Sequence, residues 1–288
     1  MNLRLSIPWY AKILMKIIFT RIPLDYEFWR CSKVFRHGDM DLPAYAYDMY
    51  KTHYGRVSFP RKDRGFIALE LGPGDSLSSA LIAYTFNASA IYLVDVGRYA
   101  TDDIAHYQLM IDFLAERNLS TPNLKRKRSM NELLEFINAH YEVEGMQSLY
   151  KIPDRSVDFI WSQAVLEHIR REEFIETLRE LRRILRKDGV CSHHVDLKDH
   201  LDGGLNNLRF STAFWESDFM SQSGFYTNRI RFKEMLKLFE VAGFDVTVLQ
   251  IDRWSQLPTP LKKLSVDFRH LPEEDLSVSG FDVILTPH

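Results

Sequence analysis

The sequence predicts an α/β fold, a mostly parallel β-sheet with helices on both faces. Three observations carry this. Short apolar runs alternate with amphipathic stretches from Gly65 onward. A glycine turn, Gly72-Pro73-Gly74, joins the first of those runs to a helical stretch. Two late apolar runs, FDVTVLQI and GFDVILTP, are placed to pair as neighbours, which separates this layout from a plain dinucleotide-binding domain.

Each element follows from its pattern. FIALELGPGDSL reads as a buried strand, a turn, then a helix through about Asn87, and AIYLVDVG reads as a second strand ending at Asp95. Residues 102–118 and 129–140 have helical spacing, with the basic loop Lys125–Arg128 between them. SVDFIWSQAV is a strand, EEFIETLRELRRILRKDG an amphipathic helix closed by Gly189, and VCSHHVDL the next strand. RFKEMLKLFEVAG is a helix ending at Gly243. Residues 199–230, rich in Gly, Asn, Ser and aromatics and poor in periodicity, read as a lid or substrate insertion. Residues 1–60 form an N-terminal helical extension before a main domain at 61–288. Within it, Trp9, Ile13, Ile17 and Leu24 recur at roughly helical spacing between Pro8 and Pro23.

The bulk numbers exclude several classes. A chain of 288 residues, 45% apolar, is long enough for one large α/β domain with additions. A net charge of -2 argues against general attraction to nucleic acid. Cys31 and Cys191 match no metal spacing and read as reduced thiols of a cytoplasmic protein. The N-terminal apolar stretch is interrupted by Lys12, Lys16 and Arg21, so it is too charged to span a membrane. As a basic, Trp-containing helix, residues 8–24 could instead lie on an anionic membrane surface or pack on the domain.

The chemistry concentrates at Glu70-Leu71-Gly72-Pro73-Gly74-Asp75-Ser76, after a strand and before a helix. Gly72 and Gly74 allow a ligand close to the backbone, and the following helix N-terminus offers N–H groups to a carboxylate. Asp95, at the end of the second strand, is placed to accept from ribose hydroxyls. No Gly-Lys-Ser/Thr follows the turn, and Leu77 stands where a nicotinamide fingerprint has its third glycine.

ELGPGD, YLVDVG, PDRSVDFIWSQAVLEHI and LRELRRILRKDGV, in this order, resemble the successive motifs of class I S-adenosylmethionine-dependent methyltransferases, most closely the subgroup with an "sFD…S…vleH" pattern. The resemblance covers about residues 64–198 and implies a Rossmann-like, seven-stranded sheet with an antiparallel last strand. It implies S-adenosylmethionine (SAM) as cofactor, with Glu70, Gly72 and Gly74 at its methionine end, Asp95 at its ribose, and Ser162 and Gln163 near the sulfonium. Met146 stands where many relatives carry an acidic residue toward the adenine. A looser similarity, to methyltransferase-like proteins of bacterial polysaccharide and glycolipid gene neighbourhoods, leans the acceptor toward a small molecule, sugar or glycolipid precursor.

The acceptor side is expected at His193-His194-Val195-Asp196-Leu197-Lys198-Asp199-His200, beyond the carboxyl end of the fifth strand. Alternation puts His194, Asp196 and Lys198 on one face. A histidine with a carboxylate partner can take a proton from a hydroxyl acceptor near neutral pH, so His194 or His200 is the candidate base and Asp196 or Asp199 its orienting group. His168 is a further candidate facing the acceptor. No metal site is expected, because a compact set of carboxylates is lacking. Asn206, Asn207, Arg209, Trp215, Tyr226, Asn228 and Arg229 are the lid residues with groups suited to sugar, phosphate or carboxylate recognition. A non-catalytic SAM-binding regulatory or scaffold module is the alternative from another class.

Overall fold

The computed structural model describes residues 8–19, 39–62, 64–119, 121 and 123–288. Leu24, Pro23, Arg21 and Cys31 lie outside them. The strands are β1 (Phe66–Leu71), β2 (Ala88–Val94), β3 (Ala139–Glu142), β4 (Val157–Gln163), β5 (Leu185–Asp196), β6 (Phe244–Arg253) and β7 (Val278–Pro287). They form one seven-stranded sheet in the order β3-β2-β1-β4-β5-β7-β6. β1 to β5 pair in parallel, and β7 runs antiparallel to both β5 and β6. This is the expected Rossmann-like sheet with its antiparallel last strand. The principal helices are α1 (Trp9–Phe19), α2 (Pro43–Gly55), α3 (Ser78–Thr85), α4 (Ile104–Glu116), α5 (Met130–Phe136), α6 (Met146–Tyr150), α7 (Arg171–Ile184) and α8 (Phe232–Val241).

The central strands are apolar on both faces because both are covered. On one face Tyr50 and Tyr54 of α2 meet Phe66, Phe159 and Trp161 of the sheet, with Tyr50 edge-on to Trp161 at 5.7 Å. On the other, Leu69 and Ile160 pack with Phe174, Leu178 and Leu181 of α7 and Met235 and Phe239 of α8. α7 buries one stripe and carries Glu172 and Glu173 in its first turn and Arg182 and Arg183 in its last, the charge order that its dipole favours.

Two boundaries differ from the periodic reading. α7 stops at Ile184, not at Gly189, because Leu185 is fully buried and already pairs with Val157 of β4. Gly189 belongs to β5, where a Cβ would stand 3.0 Å from the Asp158 carbonyl oxygen. The helix at 129–140 ends at Phe136; Asn138 turns the chain at φ +53 and Ala139 starts β3. Asp158 accepts the Ile67 N–H at 2.8 Å and lies 3.3 Å from Arg186, so it joins β4 to β1.

The segment 199–230 folds around a small core of its own. Leu201, Trp215, Met220, Phe225 and Tyr226 are buried together, and Trp9, Ile13 and Ile17 of α1 pack onto them. Its polar groups turn inward rather than outward. Trp215 Nε1 donates to the Thr227 carbonyl, Asn228 donates to the carbonyls of Leu166 and Ile169, and Arg229 donates to those of Asn207 and Phe210. Trp215, Asn228 and Arg229 are therefore framework and not a recognition surface, since burying such groups requires partners. Arg209 spends its guanidinium on Asn206 and on the face of Trp9. Among the described residues no helix is long and apolar enough to cross a membrane.

α2 is fastened to the sheet by His53, whose Nδ1 is 2.8 Å from Ser192 Oγ and whose Nε2 is 3.0 Å from Gln163 Oε1. Burial pushes its pKa down from 6.5 to about 4, against the opposing Gln163 bond. Burial takes His193 to about 3, with neighbouring His53 adding. Both rings bind protons more readily unfolded than folded, so stability is fully present above about pH 6.5 and falls as pH drops toward 4. For His53 the loss reaches about 3 kcal/mol at the low end. Urea unfolding at neutral pH and at about pH 5 should show the decline, and His53→Gln should roughly halve it, leaving the part due to His193. An unchanged slope in the variant would show that His53 is not the group responsible.

Candidate functional site

The site is built where the parallel strands end. β1 delivers Glu70 and then the turn, with Gly72 at φ +71 and Gly74 at φ +66, conformations that cost other residues strain. The Gly72 N–H donates to the Val94 carbonyl at 2.8 Å, which ties the turn to β2. A Cβ on Gly72 would lie 2.6 Å from Val165 Cγ2, so the turn after β4 is packed directly against it. Asp95 caps the assembly. Its Oδ2 accepts the Gly74 N–H at 3.0 Å and its Oδ1 the Val96 N–H at 2.7 Å.

Glu70 is buried, and its carboxyl accepts a hydrogen bond from Ser79 in the first turn of α3. Burial lifts its pKa to about 8, with the Ser79 bond opposing and Asp95 adding. A buried acid in this state suits a ligand that brings its own positive charge. α3 starts at Ser78, after Leu77, without a side-chain cap, and the Ser76 hydroxyl accepts the Ser78 N–H. Met146 opens α6, directly after Gly145, whose N–H donates to the Asp95 carbonyl at 2.8 Å. Ser162 and Gln163 end β4 and point to opposite faces. Ser162 Oγ is 2.7 Å from His193 Nδ1, while Gln163 meets His53. The structure thus brings Glu70 and Asp95 together around the Gly72–Gly74 turn, with Met146 beside it and Gln163 at the adjoining strand end.

The acceptor-side residues divide into separate places. His194 Nδ1 lies 2.8 Å from Asp282 Oδ1 on β7, and Asp282 Oδ2 lies 2.8 Å from an Arg56 nitrogen. Burial alone would raise the Asp282 pKa; the His194 and Arg56 contacts outweigh it and hold the carboxyl at about 2. Asp196 Oδ1 accepts the N–H of Lys198 and stands 3.5 Å from its ammonium. Asp199 is a loop cap, accepting from the backbone N–H groups of Leu201, Asp202 and Asn206. The expectation that Asp196 or Asp199 orients a histidine is corrected here: the carboxylate on His194 is Asp282. His200 stacks on His168 at 4.7 Å, and burial, then Lys16, lowers its pKa. A cleft alongside is lined by Glu167, Asp196, Lys198, Asn207, Thr227 and Asn228 among others.

Residues 69–192 match the family model described as "Methyltransferase domain". The chain thus contains a stretch that matches a methyltransferase domain. Its cofactor is S-adenosylmethionine, and the turn offers a side-chain-free approach at Gly72 and Gly74 with buried Glu70 and the Asp95 carboxylate beside it. Among solved structures, the domain is similar to a SAM-dependent methyltransferase from Methanosarcina mazei (17% identity, covering 77% of this chain and 92% of that one, TM-score 0.44). It is also similar to one from Mesorhizobium loti (14%, 80% and 94%, TM-score 0.42). A third is Haemonchus contortus phosphoethanolamine N-methyltransferase 2, solved with S-adenosylhomocysteine (14%, 84% and 53%, TM-score 0.45). No curated protein matches the chain.

Sequence reasoning did not find Asp282, Arg56 or His53. GFDVILTP announces a strand but not the residue opposite Asp282, and only the antiparallel register, His194 against Asp282, reveals it. Arg56 and His53 come from the N-terminal extension, more than a hundred residues from their partners, with no local signal. Glu167 was visible in LEHI, but its full burial was not.

The packing at Gly72 gives a direct test. Gly72→Ala adds a Cβ at positive φ that must displace Val165, and should lower unfolding stability by about 1–3 kcal/mol. Chemical denaturation checks this; a variant as stable as the parent would mean that the two turns are not in contact.

Proposed function

We propose that this methyltransferase transfers the methyl group of SAM to a hydroxyl of a small polar acceptor, a sugar or glycolipid precursor, with His194 as general base and Asp282 as its orienting group. The observation that carries this reading is the chain Arg56–Asp282–His194, which ends at the carboxyl edge of the sheet. Asp282 accepts from the Nδ1–H of the neutral ring, leaving the lone pair on Nε2 to take a proton. The His194 side chain is 24% exposed, so the ring is reachable by an acceptor, whereas His53 and His193 are not.

The remaining roles follow from position. Bound SAM supplies an electrophilic methyl group for in-line displacement. Glu70 binds its ammonium end, Gly72 and Gly74 admit it, Asp95 accepts from its ribose hydroxyls, and Met146, Gln163 and Ser162 border it. α1 spends one face on the segment 199–230, and Lys12 and Lys16 are engaged by Asp202 and the His200 carbonyl. Tyr10, Leu14 and Ile18 form its exposed stripe. This engagement of both lysines supports α1 as a cap of the domain over α1 as a membrane-surface helix.

Two outcomes are expected. Glu70 is protonated below about pH 8 in the free protein, and a cationic partner favours its ionised form. SAM binding should therefore release a proton, and affinity should rise with pH by at most tenfold per unit up to about 8. Calorimetry across that range should show the slope, and Glu70→Gln should abolish it; a pH-independent affinity in the parent would remove Glu70 from the cationic end. For the chemical step, His194→Ala should lower kcat by roughly 10²–10⁴-fold with SAM affinity unchanged, and Asp282→Asn should lower it by a lesser factor. Full turnover in His194→Ala would end its assignment as base. Tight SAM binding with no acceptor methylated across sugar and lipid extracts would favour the non-catalytic module.

A further inference from the structure

Beside the base assigned above, the turn after β4 and the loop after β5 bring together three residues that the methyl transfer does not use. One carboxylate oxygen of Glu167 and one ring nitrogen each of His168 and His200 all lie within 4.8 Å of one another. Glu167 is 2% exposed; its Oε1 accepts the Asp196 N–H at 3.2 Å, and its Oε2 has no hydrogen-bond partner. His200 Nε2 is likewise buried without a partner. Buried polar atoms are normally paired, and a buried carboxylate oxygen facing nothing is costly. Two residues of the cluster thus each carry a buried polar atom without a partner, which suits a ligand with positive charge and lone-pair demand.

His168 completes the pattern. Its Nδ1 lies 3.0 Å from the Tyr226 carbonyl oxygen, which can only accept, so Nδ1 carries the proton and Nε2 the lone pair of the neutral ring. A metal-binding histidine is commonly oriented in this way, by a carbonyl on its other nitrogen. The backbone N–H on Glu167 Oε1 plays the same part for the carboxylate. Two imidazoles and one carboxylate form a nitrogen–oxygen donor set that suits zinc and similar divalent transition ions, with three protein ligands and an open position.

We propose that Glu167, His168 and His200 form a binding site for one divalent transition-metal ion, with zinc as its representative. Ligands at 2.0–2.1 Å from a tetrahedral ion stand about 3.3 Å apart, so loading draws the three donors inward by about an ångström. The ion would join the turn after β4 to the loop that carries His200, both of which α1 and the Trp215 core hold in place. Lys16 and Lys198 are the cations closest to His200; Lys16 donates to its backbone carbonyl and Lys198 stands by Asp196. Glu167 and Asp196 also line a small cleft beside the cluster, and an acceptor oxygen is one candidate for the open coordination position. That last step rests on the O-methyltransferase reading; the site itself does not.

The test uses the full chain, stripped with chelator, then dialysed against Zn²⁺ and analysed for metal, with Co²⁺ absorption as the geometric readout. About one Zn²⁺ per chain and a tetrahedral Co²⁺ spectrum are expected for the parent and for His270→Ala, a control at an exposed histidine. Glu167→Gln and His200→Asn should bind at least tenfold more weakly. Equal binding by those variants, or a parent that takes up no Zn²⁺ and gives no Co²⁺ bands, overturns the site. Should either variant fail to fold, the parent's Co²⁺ spectrum and the other variant decide it. SAM calorimetry on the same metal-free protein separates the two readings: metal uptake absent with SAM binding intact removes this site alone, and SAM binding absent removes the methyltransferase reading.

Discussion

The contact between Gly72 and Val165 is the constraint on which the rest of the site depends. β1 and β4 are adjacent parallel strands, and the chain leaves each at the same edge of the sheet. The two exits can share that edge only if one of them has no side chain at the point of contact. Gly72 meets that requirement, and its N–H bond to Val94 adds β2 to the same junction. The Asp95 carboxylate then closes over Gly74. Three strand ends are thereby fixed relative to one another by short backbone contacts, which shift less than long side chains do. A cofactor laid across them meets a preformed surface, at no cost in ordering the loop.

Charge is managed differently on the two sides of that edge. At the glycine turn a buried acid, Glu70, is held with a hydroxyl partner and its pKa raised by burial. On the far side Asp282 lies between an imidazole and a guanidinium and is kept ionised at neutral pH. The same residue class serves opposite ends because one carboxyl meets two hydrogen-bond donors and the other meets one in a dry pocket. Between them, His53 and His193 stay neutral through burial and act as struts joining α2, β4 and β5.

The segment 199–230 shows how composition can mislead. Its aromatics, amides and arginine resemble a recognition surface, yet Trp215 is fully buried and Asn228 and Arg229 satisfy backbone carbonyls. A segment built of single-turn helices and loops leaves many carbonyls without a helix or sheet ladder, and long polar side chains pair them. The same need places Arg231 in the interior, donating to the carbonyls of Leu197, Leu276 and Val278. The aromatic residues meanwhile give the segment a core to which α1 attaches through Trp9, Ile13 and Ile17.

Local pattern alone determined the alternation of strands and helices, the turn at Gly72 and Gly74, and Asp95 at the end of β2, because each is written within a few residues and depends on backbone conformation or strand period. The sheet with its late antiparallel strand was legible for the same reason, aided by the order of four motifs. Tertiary structure alone decided where β5 begins, since Leu185 and Gly189 obey the neighbouring strand and not their own helical propensity. It also decided which carboxylate meets His194. Asp196 and Asp199 are near in sequence, but strand alternation and loop capping turn them to backbone N–H groups, whereas Asp282 is brought opposite by antiparallel register from 88 residues away. The pairing of Glu167 and His168 with His200 has the same origin: their donor atoms converge only because two parallel strands end side by side.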